Sequence, residues 1–436
     1  MSSTSIQSLL ARRHRALGHP TPLFYDEPLH IVRGEGVWLY DHEGRRYLDA
    51  YNNVPHVGHC HPRVVEALQR QAAMLNVHTR YLHESVVRYG ERLTATFDAA
   101  LSTVLFVCTG TEANELALRI ARHHSGARGI LVSDFSYHGN SATLAGITTG
   151  VQVNEPFAEH ARALKIPDVR RDLTAGGTPE QLTERALAEA DAAIASLQSA
   201  GHGVAALLLD TLFSTEGLCG LPPGYLDGLV ARVHAAGGLY IADEVQPGFG
   251  RTGAHWWGYQ SHGVVPDVVT LGKPMGNGHP IGGTVTRPEL ANGFLQDAMF
   301  FNTFAGNPVS AAVGLAVLDV IEQEQLLRNA LDVGEYLQQR LHALTERHEQ
   351  VAAVRGRGLF FGLELVKDRR SRTPATDDAR RLVNDMKRRG VLISTIGPHG
   401  NVLKMRPPMV FARDHADMLI ETLEEALTAG GMKQST

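Results

Sequence analysis

Cysteine is scarce in this sequence: 436 residues hold three, Cys60, Cys108 and Cys219. They are far apart and odd in number, which excludes a disulfide framework and fits a reducing compartment, and none stands at metal-ligand spacing. No apolar run approaches the length of a membrane-spanning helix; "VAALLLDTLF" at 204–213 falls far short. The opening "MSSTSIQSLLARRHRALGHP" lacks the apolar core of a signal peptide, although its Arg/Ser content weakly resembles a transit peptide. A strong charge of one sign is missing too. Lys and Arg number 41 against 46 Asp and Glu, and the formal charge of −5 is too mild to point to nucleic acid or an anionic membrane. These absences leave a soluble, cytoplasmic protein acting on small molecules, with no nucleic-acid or membrane partner and no bound metal.

What is present is core-forming sequence. Hydrophobic residues make up 43% of the chain, enough to exclude disorder and to fill two or three domains. Residues 29–49 alternate apolar and polar around the turn "DHEG" and predict a hairpin in a small N-terminal unit, residues 1–61. From residue 62 short apolar strands alternate with amphipathic helices: "TVLFVC" at 103–108, "GILVSD" at 129–134, "VAALLLD" at 204–210, "GLYIAD" at 238–243 and "DVVTLG" at 267–272. That alternation predicts an α/β large domain, residues 62–325, with a mostly parallel sheet covered on both faces. The helical pattern 307–323 leads into a mixed C-terminal small domain, residues 326–436, and only the stretch around 171–180 resembles a flexible connection.

Ligands of such a sheet bind beyond the carboxyl ends of its strands, and four features lie there. In "CTGTEANELALRIAR" a strand runs into Thr109, Gly110 and Thr111 and then a helix, which offers free amides, a glycine and hydroxyls to a phosphate; a simple threonine cap accounts for it equally well. Tyr137 in "DFSYHGN" can stack on a flat ring or merely pack. Asp243 in "IADEVQPGFGRTG" can keep a pyridine nitrogen protonated, turning the ring into an electron sink, or cap a turn. Lys273 ends the strand of "DVVTLGKPMGNGHPIGG", where burial would free its amine for Schiff-base chemistry. Together the four specify one cofactor, pyridoxal 5′-phosphate.

The sequence also resembles the class III, fold-type I aminotransferases over nearly its whole length, through "GHCHPRV" (58–64), "TGTEANE" (109–115), "YHG" (137–139), "ADEVQPGFGRTG" (242–253), "LGKPMGNGHPIGG" (271–283) and "FNTFAGNP" (301–308). The resemblance implies a large domain plus a small α+β domain drawn from both termini. It implies that Lys273 links to the cofactor and shuttles a proton while Asp243 pairs with the ring nitrogen. Val245 would lie opposite Tyr137 on the ring, Gln246 near its phenolic oxygen, and Gly110 and Thr111 at the phosphate. Thr303 would reach over from the partner subunit of a homodimer with a shared active site. His138 either contacts the ligand or braces its turn. His56, His59 and His61 lack a second ligand group and read as structural. Tyr51, Asn52, Asn53 and Trp257 are candidate substrate contacts, with ordinary packing as the other reading.

The reaction is where the resemblance divides. Many class III members carry an arginine in a segment ending Pro-Pro that grips a substrate carboxylate, and a glutamate that pairs with it otherwise. Here "VLKMRPP" puts Lys404 at that position with Arg406 two residues on, and Thr215 with Glu216 beside it near the glutamate. Lysine has no two-pronged clamp. Several segments look similar to the ethanolamine-phosphate and phosphohydroxylysine phospho-lyase branch. Against that branch, a Pro-Tyr-Lys segment and a Cys-Gly-Gly loop are missing, and Asp210 stands where the family usually has glutamate. The expectation is transamination from a small amine donor to a keto acid, with elimination of phosphate and ammonia from an O-phosphorylated amino alcohol as the alternative.

Overall fold

A seven-stranded sheet organises the centre of the chain. The computed structural model describes residues 5–18, 23–173 and 176–429. Across the sheet the strands run in the order Thr103–Val107, Gly282–Thr286, Val268–Leu271, Leu239–Asp243, Ala206–Asp210, Ile130–Ser133 and Ala161–Leu164. Gly282–Thr286 is antiparallel to both neighbours, and the other pairings are parallel. Every residue of Ala206–Asp210, Leu239–Asp243 and Val268–Leu271 is buried, as expected of parallel strands covered on both faces.

Local chemistry sets where the helices begin and end. Helix Gly110–Ser125 opens with Thr109, whose Oγ1 accepts the Glu112 N–H, and closes at Gly126 in the left-handed region, φ 66°. Helix Pro308–Gln323 opens with Asn307, whose side chain accepts the Ser310 N–H, and with proline at its first position. Of the connection expected at 171–180, residues 174–175 lie outside the described residues, and Pro179–Ser199 is a helix with a Thr178/Gln181 capping box.

The expected hairpin at 29–49 is larger than its alternation implied. Strands Ile31–Glu35, Trp38–Asp41 and Arg46–Asp49 form a meander, and Val391–Leu392 joins its edge in parallel. A second C-terminal sheet pairs Val351–Arg357, Phe360–Leu365, Val402–Met405 and Ser394–Ile396. The backbone pins its last strand to the N-terminal segment: Arg406 N–H donates to Ala50 O at 2.7 Å, and Met409 N–H donates to His56 O at 2.7 Å. Among the described residues no helix is long and apolar enough to cross a membrane.

Candidate active site

Asp210 and Asp243 end adjacent parallel strands in register, and Thr270 lies opposite Asp243 on the next strand. Three positions past Thr270 comes Lys273. A cavity at these strand ends is lined by Gly110, Thr111, Asn114, Tyr137, His138, Gly139, Asp210, Asp243, Val245, Gln246 and Lys273. A larger groove of about 740 Å³ lies between helix Ile6–Leu17 and residues 23–31 and contains none of these groups.

Asp243 is a heavily bonded carboxylate. Its Oδ2 accepts His138 Nδ1–H at 2.7 Å and Asn114 Nδ2–H at 3.0 Å, and its Oδ1 accepts Val245 N–H at 3.0 Å. Burial pushes its pKa up, but the His138 and Asn114 contacts and the Val245 amide outweigh that and hold it below the ordinary value. Asn114 is fixed in turn, its Oδ1 accepting from Thr270 Oγ1 at 2.7 Å. One Oδ1 lone pair of Asp243 still lacks a donor, and it suits the N–H of a protonated ring.

Glycine allows the walls to close in. A Cβ at Gly110 would stand 3.0 Å from Val245 Cγ2, and one at Gly272 would stand 3.2 Å from Gly110 N. Gly139, at φ 146°, would bring a Cβ to 2.8 Å from Thr111 Oγ1. The start of helix Gly110–Ser125 therefore faces the cavity with the Gly110 and Thr111 amides ahead of the first capped N–H, an arrangement suited to a phosphate.

Lys273 has left-handed backbone, φ 28°, a conformation that costs a lysine about 1–3 kcal/mol and is held by its surroundings. Lys273 is exposed and lines the cavity. Its pKa is lowered, first by burial and then by Arg406, while Asp243 and Asp210 pull it back up. The depressed value leaves more of the amine uncharged, as a nucleophile needs.

Behind Gln246, itself a lining residue, stands a second wall that is cationic. Lys404 Nζ donates to Gln246 Oε1 at 3.2 Å, and Arg406 Nη1 donates to the same oxygen. Gln246 Nε2 reaches Asp210 Oδ2 at 3.4 Å. Arg406 also donates from Nε to Tyr51 O at 3.3 Å, with its guanidinium 5.3 Å from the Tyr51 ring. Both cations are buried. Lys404 is held well below its ordinary pKa by burial, Arg406 and Lys273, and burial brings Arg406 down to about 10. Asp210 is pushed up by burial and by Asp243.

The structure thus brings Gly110, Thr111, Tyr137, His138, Asp243, Val245, Gln246 and Lys273 to one cavity, with Lys404, Arg406 and Tyr51 reached through Gln246. Four expected positions fall elsewhere, the first being Asn52, whose N–H and Nδ2–H donate to Asp49 outside the cavity lining. Trp257 is fully buried, its ring stacked on Phe97 at 4.1 Å and its Nε1–H donated to Thr96 O at 3.1 Å, so it packs the core and does not line the cavity. Asn53 is buried with neither side-chain polar atom bonded, and it too is absent from the lining. Thr303 is exposed on the loop before helix Pro308–Gln323, away from the cavity lining of its own chain.

The triplet His56, His59 and His61 anchors the segment that carries Tyr51. His56 bridges Phe249 O at 2.7 Å and Arg251 Nη2 at 2.9 Å, His59 bonds Asp49, and His61 bonds Glu324. Asn114, Thr270 and Asp210 were not read as site residues. For Asn114 the available signal was an amide on the inner face of a helix otherwise lined by Ala113, Leu116 and Ala117.

Comparison with known proteins agrees with this geometry. The family model "Aminotransferase class-III" matches residues 24–427. An "Alanine--glyoxylate aminotransferase 2-like" protein of Drosophila melanogaster is 41% identical over 96% of this chain and 86% of its own. A phospholyase from Arthrobacter, solved in complex with phosphoethanolamine, is 56% identical with a TM-score of 0.94, over 97% of this chain and 99% of that one. An (S)-enantioselective omega-transaminase from Thermomicrobium roseum is 31% identical with a TM-score of 0.86, over 98% and 99%. The chain is a member of the class III aminotransferase family, enzymes that work with pyridoxal 5′-phosphate.

Proposed function

We propose that this enzyme eliminates phosphate and ammonia from a small O-phosphorylated amino alcohol of the phosphoethanolamine type. The observation that carries this reading is the wall formed by Lys404 and Arg406. Two buried cations converge on one neutral amide oxygen, and among the described residues neither forms an ion pair with a carboxylate. Buried charges without counter-charges are costly, and a dianionic phosphate would neutralise both. The 56% identity to the phospholyase solved with phosphoethanolamine supports the same choice.

Pyridoxal 5′-phosphate, when bound, supplies an aldehyde that condenses with amines and a ring that accepts the electron pair left when a neighbouring proton departs. The residues at hand suit it. Gly110 and Thr111 would hold its phosphate, Tyr137 and Val245 would flank its ring, and Asp243, held by His138 and Asn114, would keep the ring nitrogen protonated. Lys273 would carry the covalent link and would then take the proton from the carbon beside the substrate nitrogen. Gln246 lines the cavity and accepts from both cations, contacts that a substrate phosphate would replace. Thr303, exposed beside the apolar surface of Met299, Phe301 and Phe304, completes the site of a second copy in a homodimer.

Transamination to a keto acid is the second reading, favoured by the 41% identical relative named as an aminotransferase. Incubation with phosphoethanolamine, with and without pyruvate or 2-oxoglutarate, separates the two. We expect phosphate and ammonia without an acceptor, and loss of both when Lys273→Ala is tested. Amino acid formation that needs the acceptor, with no phosphate released, would hand the assignment to transamination.

A further inference from the structure

We propose that Arg122, Arg128, His160 and His202 form a second anion site, fitted to a phosphoryl group, free or in a small monoester, at the end of the large sheet opposite the cavity. Parallel strands Ile130–Ser133, Ala161–Leu164 and Ala206–Asp210 all begin there. Residues 128, 160 and 202 stand just before them, and the backbone laces them together. Arg128 N–H donates to His202 O at 2.9 Å, and Ile130 N–H donates to His160 O at 2.9 Å. Arg122 arrives from the other direction. Helix Gly110–Ser125 starts at the cavity and, being 16 residues long, carries its last turn roughly 24 Å away. None of the four residues lines the cavity.

Side-chain contacts draw the four groups together. Arg122 Nη2 donates to His160 Nε2 at 3.3 Å, and the His160 and His202 rings lie edge to face with centroids 6.3 Å apart. Arg128 is close enough to act on both Arg122 and His160. Cations in the last turn of a helix ordinarily complement its dipole by donating to the free carbonyls. Arg122 does otherwise: it spends Nη2 on an imidazole nitrogen, and its enclosed Nε has no partner. Among the described residues neither arginine is ion-paired with a carboxylate. Two acids act on the cluster, Glu159 on His160 and Glu115 on Arg122. Glu115 is already engaged, its Oε1 accepting the Ser141 hydroxyl. Burial first, and then the neighbouring cations, hold both His160 and Arg122 below their ordinary pKa values. An anion among the four would use the idle donors and relieve that repulsion. Two guanidinium charges match a dianion, and donors from separate chain segments suit a tetrahedral group better than a flat carboxylate.

Lys404→Met, which weakens phosphate binding in the cavity, isolates this site for the test. The cofactor-loaded Lys404→Met protein should bind radiolabelled inorganic phosphate saturably in equilibrium dialysis at fixed ionic strength. Ring signals of isotope-labelled histidine, assigned with His160→Gln and His202→Gln, should shift as it binds, which separates this site from the cavity. Arg128 is exposed, so Arg128→Gln should fold; added to Lys404→Met, it should weaken both responses about 10–100-fold and leave the cofactor absorbance unchanged. Sulfate should compete. Methyl phosphate that competes alike would make the phosphoryl group of a monoester a ligand too, and methyl phosphate that does not would confine the site to the free ion. Chloride competing as well as sulfate, histidine signals that ignore phosphate, or undiminished binding after Arg128→Gln would each overturn the proposal. The site does not depend on the reaction in the cavity: native protein that releases phosphate from no amine phosphate would remove the elimination reading and leave these outcomes unchanged.

Discussion

The two walls of the cavity are built on opposite principles. On the Asp243 wall both carboxylate oxygens are engaged, with His138 and Asn114 on one, Val245 on the other and Thr270 behind Asn114, although His138 Nε2 is buried without a partner. On the Lys404 wall two cations share a single amide oxygen, and Glu216 Oε2 has no partner. A satisfied buried network is rigid and costly to disturb, whereas an unsatisfied one is stabilised by whatever arrives to complete it. The first arrangement suits a resident cofactor that must not move, and the second suits an anion that enters and leaves at each turnover.

Breaking the closed wall should have the larger effect. In Asp243→Asn an amide replaces the carboxylate, so no charge remains to hold a ring nitrogen protonated, and an N–H of the new side chain can face His138. We expect kcat to fall about 10²–10³-fold while cofactor absorbance persists, because Lys273 and the helix start still hold it. Turnover within fivefold of native would show that the ring charge is maintained by some other group.

Changing the open wall should cost less and show up in a different quantity. Lys404→Met keeps most of the stem and removes the charge. Inorganic phosphate should bind the cofactor-free protein about 10–100-fold more weakly, in line with losing a hydrogen bond to a charged group. Thermal stability should hold or rise, because a buried cation without an ion-pair partner has been removed. A marked fall in melting temperature with unchanged phosphate binding would make Lys404 a packing residue and erase the contrast between the walls.

The closed wall was also the more legible in sequence. Continuous apolar runs mark the strands that end near Asp243 and Lys273, and a threonine cap marks the helix that begins at Gly110, so local pattern leads to the strand ends. Asn114 escaped notice because a single amide on an inner helix face looks like any other interruption of an apolar stripe. Strand Gly282–Thr286, "GGTVT", has no apolar run to declare it. Trp257 reads identically as a substrate contact or as core until Phe97 is seen stacked against it. The pairing of Val391–Leu392 with Leu48 and Asp49 joins distant parts of the chain, and local periodicity carries no record of such contacts.

The buried acids should make the contrast visible in stability alone. Glu216 sits at about 8 against an ordinary 4.5, and Glu244 at about 7, both raised chiefly by burial. A carboxyl whose folded pKa exceeds its unfolded value contributes stability that is complete below about pH 4.5 and lost as pH climbs to the folded value. The native protein should therefore lose stability between roughly pH 5 and 8. Glu216→Gln removes one such contribution, so its melting curve should fall less steeply, matching native near pH 4.5 and exceeding it by a few degrees at pH 9, on the order of 1–2 kcal/mol. Some slope should remain, because Glu244 still titrates between donors from Thr211, Gly258 and Tyr259. Curves that run parallel across the whole range would mean that Glu216 ionises in the fold as it does in water.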